Sequence, residues 1–394
     1  MQTELAAPTI TPGQGHENDA VVIRRAAASD FPQIFDFIAR TYGSGAAFKD
    51  AARLEWQFVR PAFRADQTVA PTLWLAEAGG RVVGTIGVQD SRLKLGSETI
   101  PAGWIVDVMV DPAWRGQGLG HKIHDAVMGE RMTLVTLTMA PATRRIAEKA
   151  GALTLGPTWQ FVKPAKLRGP TVSRYLTIKK ATRPKLARWI ALFIRSRIGP
   201  AAVAAAGRLA ARIASIRHKR AALTGFDIEE VDWFPDSLDA FWASLKADFP
   251  AIFDRSAEAL NWRFCQCPGL AYRRFVLRGD GIVRGWLVVR VGVKEELPVG
   301  AVVDLLAAPD DQPALDALIA LAQETLLPHC EFLEAAASTP AFVAAFKRAG
   351  FLQGRVMHPT VVCTSATIRA RLEAAKDDWH FTKGDHDWDQ VHPA

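Results

Sequence analysis

The chain has 394 residues, 49% of them hydrophobic, with 48 Lys and Arg against 41 Asp and Glu for a net charge of +7. That length suffices for two or three domains with proper cores, and no run of 18 apolar residues is present to cross a bilayer as a helix. Cys265, Cys267, Cys330 and Cys363 form no CxxC pair, so we expect reduced thiols in a cytoplasmic protein and no metal site.

Residues 1–20 are rich in Pro, Gly, Gln, Asn and Thr, lack a charged-then-apolar signal, and read as a disordered lead. Val21–Arg25 is a first strand and Ser29-Asp30 a helix cap. The helix from Phe31 carries Ile34, Phe35 and Ile38 on one face. Trp74–Ala78 and Arg81–Val88 flank Gly79-Gly80 as a hairpin. Trp104–Val110 is an apolar, β-branched strand that Asp111-Pro112 breaks. Arg115-Gly116-Gln117-Gly118-Leu119-Gly120 follows. From His121 to Met132, Ile123, Val127 and Met128 recur at helical spacing. Thr133–Met139 is a further strand, and Thr143–Gly151 a short helix closed by glycine.

Strand, glycine turn and helix in that order make an anion cradle. The glycines let successive N–H groups converge, and the helix N-terminus adds partial positive charge. No Gly-Lys-Ser/Thr and no dinucleotide GxGxxG spacing is present, which excludes two familiar nucleotide sites. The Arg-x-x-Gly-x-Gly after a strand ending in Val-Asp-Pro, with Glu148-Lys149-Ala150-Gly151 downstream, resembles the acetyl-coenzyme A motif of the GCN5-related N-acyltransferases (GNAT) over about residues 21–163.

About two hundred residues on, the pattern returns. Leu54-x-Trp56-x-Phe58 reappears as Leu260-x-Trp262-x-Phe264, and the hairpin as Gly279-Asp280-Gly281. Ala301–Pro309 stands for Ile105–Pro112, with Asp304 echoing Asp107, and Phe346–Phe351 closes the unit as Ala147–Ala152 did. The cradle does not return. Its place holds Asp310-Asp311-Gln312-Pro313, whose carboxylates repel phosphate and whose proline lacks an N–H donor. We therefore expect an α/β protein of the α+β type: two tandem GNAT-like mixed-sheet domains, 21–163 and 226–365, joined by a basic helical linker over 164–225 and followed by a tail over 366–394. The second domain is expected not to bind coenzyme A, and to wall the acceptor pocket and support the first domain.

From Lys149 to Phe226 stand 17 Lys and Arg and no acid, so the rest of the chain is net acidic. Leu186, Trp189, Ile190, Phe193 and Ile194 make an apolar helical face beside Lys185, Arg188 and Arg195. Residues 185–220 then read either as a peripheral contact with anionic membrane or as a hairpin packed on the two domains. RNA is the weakest reading, since few aromatics are available for stacking. In the tail, Asp385, Asp387 and Asp389 alternate; the spacing is that of an oxygen-ligand site, but a full ligand set is missing.

The resemblance implies the chemistry. Backbone N–H groups of Gln117, Gly118, Leu119 and Gly120, in the loop that Gly116 opens, would hold the pyrophosphate of acetyl-CoA or another acyl-CoA; Arg115 would close over it, with His121 and Lys122 close by. Free backbone groups of Val108, Met109 and Val110 would pair with the pantetheine arm and polarise the thioester carbonyl. Asp107 is the candidate base, a carboxylate in an apolar strand where burial raises its pKa; Glu77 and a water relay are alternatives. Many family members place a tyrosine acid four residues before the glycine, where this chain has Ala147. The expected activity is transfer of an acyl group, acetyl in the first instance, to a primary amine on a small molecule or glycan, with an amino sugar or surface-polysaccharide precursor preferred. A Fem-like transferase using aminoacyl-tRNA, which the cradle argues against, and a non-catalytic acyl-CoA-binding membrane module are the rivals.

Overall fold

The computed structural model describes residues 20–42, 49–64, 70–130, 133–137, 144, 147–149, 151–165, 223–294 and 296–390. The basic linker and the N-terminal lead fall almost wholly outside them. The first repeat runs β1 (Val22–Arg25), α1 (Phe31–Tyr42), α2 (Ala51–Leu54), β2 (Leu73–Ala78), β3 (Arg81–Leu95), β4 (Glu98–Val110), α3 (Leu119–Glu130), β5 (Thr133–Thr136), β6 (Leu153–Thr154) and β7 (Thr158–Pro164). The second runs β8 (Asp227–Glu230), α4 (Leu238–Leu245), β9 (Ala251–Phe253), α5 (Ala257–Phe264), β10 (Arg273–Gly279), β11 (Ile282–Lys294), β12 (Leu297–Ala307), α6 (Gln312–Leu326), β13 (Phe332–Ala337), α7 (Pro340–Arg348), β14 (Leu352–Met357) and β15 (Thr360–Cys363). α8 (Ala366–Ala374) and β16 (Trp379–His380) complete the chain.

The local grammar is as the residues dictate. Gly79 and Gly80 turn the β2–β3 hairpin, and α1 buries Ile34, Phe37 and Ile38. The Ser29-Asp30 cap takes another form. Asp30 accepts from Ala27 N at 2.7 Å and is clasped by Arg24, so it ties a 3₁₀ turn to β1 before the helix begins.

The two sheets are built alike, and they trade strands. The first has the order β1-β2-β3-β4-β5-β15-β6, the second β14-β7-β13-β12-β11-β10-β8. Thus β7, the last strand of the first repeat, lies antiparallel between β13 and β14 of the second sheet. Its counterpart β15 lies antiparallel between β5 and β6 of the first. Phe161 of β7 stacks on Phe346 with ring centroids 5.2 Å apart, inside the second core. Val361 of β15 belongs to the first core.

The repeated tryptophans meet face to face. Trp56 stacks on Trp262 at 4.5 Å; Trp56 Nε1 donates to Trp262 O, and Trp262 Nε1 donates to Arg60 O. β9 extends the first sheet by pairing with Leu93–Leu95 of β3. Among the described residues no helix is long and apolar enough to cross a membrane.

Candidate acyl-donor site

The glycine turn follows β4. Asp111 caps it by accepting from Ala113 N at 3.0 Å, and Trp114 is buried beneath it. Gly116 and Gly118 then take φ of 82° and 78°, the left-handed region that glycine enters without a Cβ clash. A Cβ at either position would meet nothing within 4 Å, so the loop faces open space. α3 begins at Leu119, with Leu119, Ile123 and Val127 buried against the sheet, which fixes the helix N-terminus at the loop. Arg115 is exposed, and its Nε donates to Val110 O at 3.1 Å, laying the guanidinium over the end of β4. Gln117 donates to Ala113 O, and His121 pairs with Asp125 one turn along. The structure thus brings Arg115 through His121 together as one open, donor-rich cradle. Its geometry fits a pyrophosphate.

Along β4 toward the cradle, Met109 is buried in the core while Val108 is 36% exposed. Among the described residues β5 pairs with β4 only at Gly103 and Trp104, so β4 is open on that side beyond them. A β-bulge interrupts the β3–β4 ladder between Thr85 and Gly87, and Asp107 takes φ of 52° there. Four non-glycine residues among those described have positive φ. Asp280 and Glu296 sit in hairpin turns, whereas Asp107 and His386 belong to the site.

The Asp107 side chain is only 7% exposed and forms an ion pair with Lys49, a residue the sequence reading missed. Burial draws Lys49 down to about 8, against the pull of Asp387 and with the help of Arg53. Asp387 in turn lies 2.5 Å from His386 Nδ1, and His386 Nε2 lies 2.8 Å from Ile105 O on β4. Both ring nitrogens face acceptors, which suits the doubly protonated ring. Burial opposes that charge, but Asp387 and the Ile105 carbonyl outweigh it and raise the His386 pKa. Burial pushes Asp387 up, but His386, Lys49 and Arg53 outweigh it and hold its carboxyl below the ordinary carboxylate range. Asp107, Lys49, Asp387 and His386 form one alternating charge cluster behind the open strand.

Glu77 lies on β2, separated from β4 by β3, and is bonded to Arg24 at 3.0 Å. The three tail aspartates diverge: Asp385 binds Arg255, Asp387 pairs with His386, and Asp389 takes Arg263 and Tyr272. Each carboxylate is matched by protein cations, and no group of metal-ligating side chains is found among the described residues. Ala147 is buried at 3%, and Tyr272 is locked into the second core, so neither meets a departing thiolate.

The second sheet carries the same slot, filled by the chain itself. β12 and β13 pair only from Val299 to Ala301 and then part. Into the gap runs the tail. Ser338 donates to Trp379 O and accepts from Phe381 N; Thr382 Oγ1 donates to Asp304 at 2.7 Å, and Gly384 N donates to Val303 O at 2.7 Å. A Cβ on Gly384 would lie 2.9 Å from Phe264 and 3.2 Å from the Asp304 Cβ, so only glycine threads here. At the head of α6, Asp311 caps the helix by accepting from Ala314 N and binds Arg284. A carboxylate thus sits on the amides a phosphate would need. Asp304, the echo of Asp107, is bonded to Trp286, Thr382 and Arg255.

The first sheet combines an open β4 with a glycine cradle at a helix head, and the second repeats the sheet without the cradle. The family model for the acetyltransferase (GNAT) domain matches residues 22–151. That stretch is a GNAT domain, and the two sheets make the chain a tandem GNAT-fold protein. The chain is similar to a GCN5-related N-acetyltransferase from Anabaena variabilis, at 10% identity over 87% of this chain and 72% of that one, TM-score 0.54. It is likewise similar to a GCN5-related N-acetyltransferase from Kribbella flavida (14% identity; 87% and 71%; TM-score 0.52). A third likeness is to N-myristoyltransferase from Saccharomyces cerevisiae with bound myristoyl-CoA (10%; 90% and 80%; TM-score 0.54). At these identities the likeness is one of fold. No curated protein matches the sequence.

Proposed function

We propose that the first domain transfers an acyl group, acetyl in the first instance, from coenzyme A to a primary amine. The observation that supports this reading is the cradle: two left-handed glycines in open space at the head of a buried helix, with Arg115 alongside. Val108 to Val110 would hold the pantetheine arm, and the second domain, whose own slot is filled, would serve as a wall. The amine nitrogen attacks the thioester carbonyl, the C–N bond forms as the C–S bond breaks, and sulfur leaves as the coenzyme A thiolate. The amine proton passes to the Lys49–Asp107 pair and finally to sulfur. A side chain held at about 8 is better matched to that task than a carboxylate clasped by an ammonium. The thiolate needs no tyrosine, since a thiol of ordinary pKa near 8.5 leaves unassisted. Cytoplasmic placement, with 185–220 at an anionic membrane surface, belongs to the same reading.

Calorimetric titration of acetyl-CoA into the wild type and into Gly118→Asp tests the reading. Aspartate is strained at φ of 78° and puts a carboxylate in the cradle. Binding to the wild type that is lost in the variant is the expected result; equal binding in both would move the donor site elsewhere. A panel of amines with thiol release as readout then separates an enzyme from an acyl-CoA sensor.

A further inference from the structure

The tail faces both domains in turn. Asp385 binds Arg255 at 2.7 Å, and Asp389 takes Arg263 and Tyr272, all in the second domain. Between these anchors, His386 and Asp387 belong to the first. His386 Nε2 lies 2.8 Å from Ile105 O, two residues before Asp107 on β4, and its ring stands edge-on to Trp104 with centroids 5.7 Å apart. Asp387 lies within electrostatic reach of Lys49 and of Arg53 on α2. His386 and Asp107 both hold left-handed backbone, at φ of 65° and 52°. Such backbone persists in a non-glycine residue where the surroundings over-determine it.

The charges around Lys49 come from three elements and oppose one another. Asp107 on β4 pairs with it directly; Arg53 on α2 repels it; the tail brings Asp387 and, 2.5 Å behind that carboxylate, the His386 ring. Asp50, next in sequence, is engaged as the cap of α2 and accepts from Arg53 N at 2.9 Å. Two carboxylates around one ammonium would hold its proton too firmly for a group that must lose and regain it. Arg53 and the His386 imidazolium supply the opposing positive charge. Asp387 therefore draws on the Lys49 ammonium, and His386 limits how hard it pulls. Burial magnifies each of these effects, since little water is present to screen them.

We infer that His386 and Asp387 are positioning residues of the first domain's acyl-transfer site, supplied by the tail to hold Lys49 on Asp107 and to balance its charge. Their role rests on the acyltransferase reading, but the charge coupling is measured without turnover. The full chain, isotope-labelled at lysine Cε, is titrated by NMR, and the Lys49 signal is the one missing in Lys49→Met. The wild-type midpoint is expected near 8. Asp387→Asn removes an anion and should lower it, raising the neutral fraction at pH 7 about threefold or more. His386→Gln keeps a donor for the Ile105 carbonyl but not the charge, and should move the midpoint the opposite way. The pH limb of kcat/KM should follow the midpoint in each variant, with KM for acetyl-CoA changed less than about twofold. Midpoints that stay in place, or that move in the same direction in both variants, overturn the proposal and leave the tail a strap. Where only one variant folds, the direction of its shift decides. Opposite shifts in a chain that acylates no amine would sink the acyltransferase reading alone; turnover with unmoved midpoints would sink the positioning role alone.

Discussion

At the scale of single residues, the site depends on a buried charge alternation that no motif announces. Asp107 stood out in the sequence because a carboxylate in an apolar strand needs a reason. Its partner did not, because Lys49 lies in a separate segment and lysines are common. His386 was legible only as part of an odd tail. The expected consequence of the Lys49–Asp107 pair is a pH dependence. If the amine proton goes to Lys49, kcat/KM rises with pH as Lys49 loses its proton and levels off above about 8. Lys49→Met should lower kcat by a factor on the order of 10²–10⁴ and remove that limb, with acetyl-CoA affinity little changed. A limb persisting near 8 in the variant would assign it to the substrate amine and return the role of base to Asp107.

At the scale of elements, the repeat was readable and the exchange was not. The paired Leu-x-Trp-x-Phe motifs, the two glycine-closed helices and the two aspartates on corresponding strands all fall in corresponding places, with Gly151 and Gly350 both left-handed at φ of 76° and 80°. β7 and β15 read as ordinary strands, since hydrophobic alternation states that a strand is half-buried and not which sheet accepts it. Their placement has an energetic root. Lys163 of β7 is buried in the second domain, with Nζ donating to Gln323 Oε1 and to Ala349 O at 2.7 Å. A chain ending at 165 would leave that ammonium and one face of β7 without their partners, and would leave β5 and β6 without the strand between them. Residues 1–165 and 223–394, expressed as separate chains, should each fail to unfold cooperatively alone and should co-purify as one complex when produced together. A cooperative, monomeric half would show that the exchange is not required for folding.

At the scale of the whole molecule, the tail ties the domains together. Phe381 to Asp389 crosses from the second slot to β4 of the first domain: Asp385 and Asp389 pair with Arg255 and Arg263 of the second domain, while His386 reaches Ile105 O of the first. One of these anchors carries a pH signature. Glu334 of β13 receives Lys383 of the tail and Lys294 of β11, each at 3.1 Å. Burial alone would push the Glu334 pKa up; the two ammonium groups outweigh it and hold the carboxyl at about 2, against an ordinary 4.5. The folded-state pKa is the lower one, so the unfolded chain binds the extra proton first. The stabilisation is complete above about pH 4.5 and fades as pH falls toward 2. In Glu334→Gln the amide keeps the shape but not the charge, and the two lysines lose their counterion. Denaturant unfolding at pH 7 should show the variant less stable by about 1–3 kcal/mol, with the gap closing between pH 4.5 and 2. A gap that stays constant through that range would mean the tail is held by packing and hydrogen bonds, and that the Lys383–Glu334 pair adds nothing to the join.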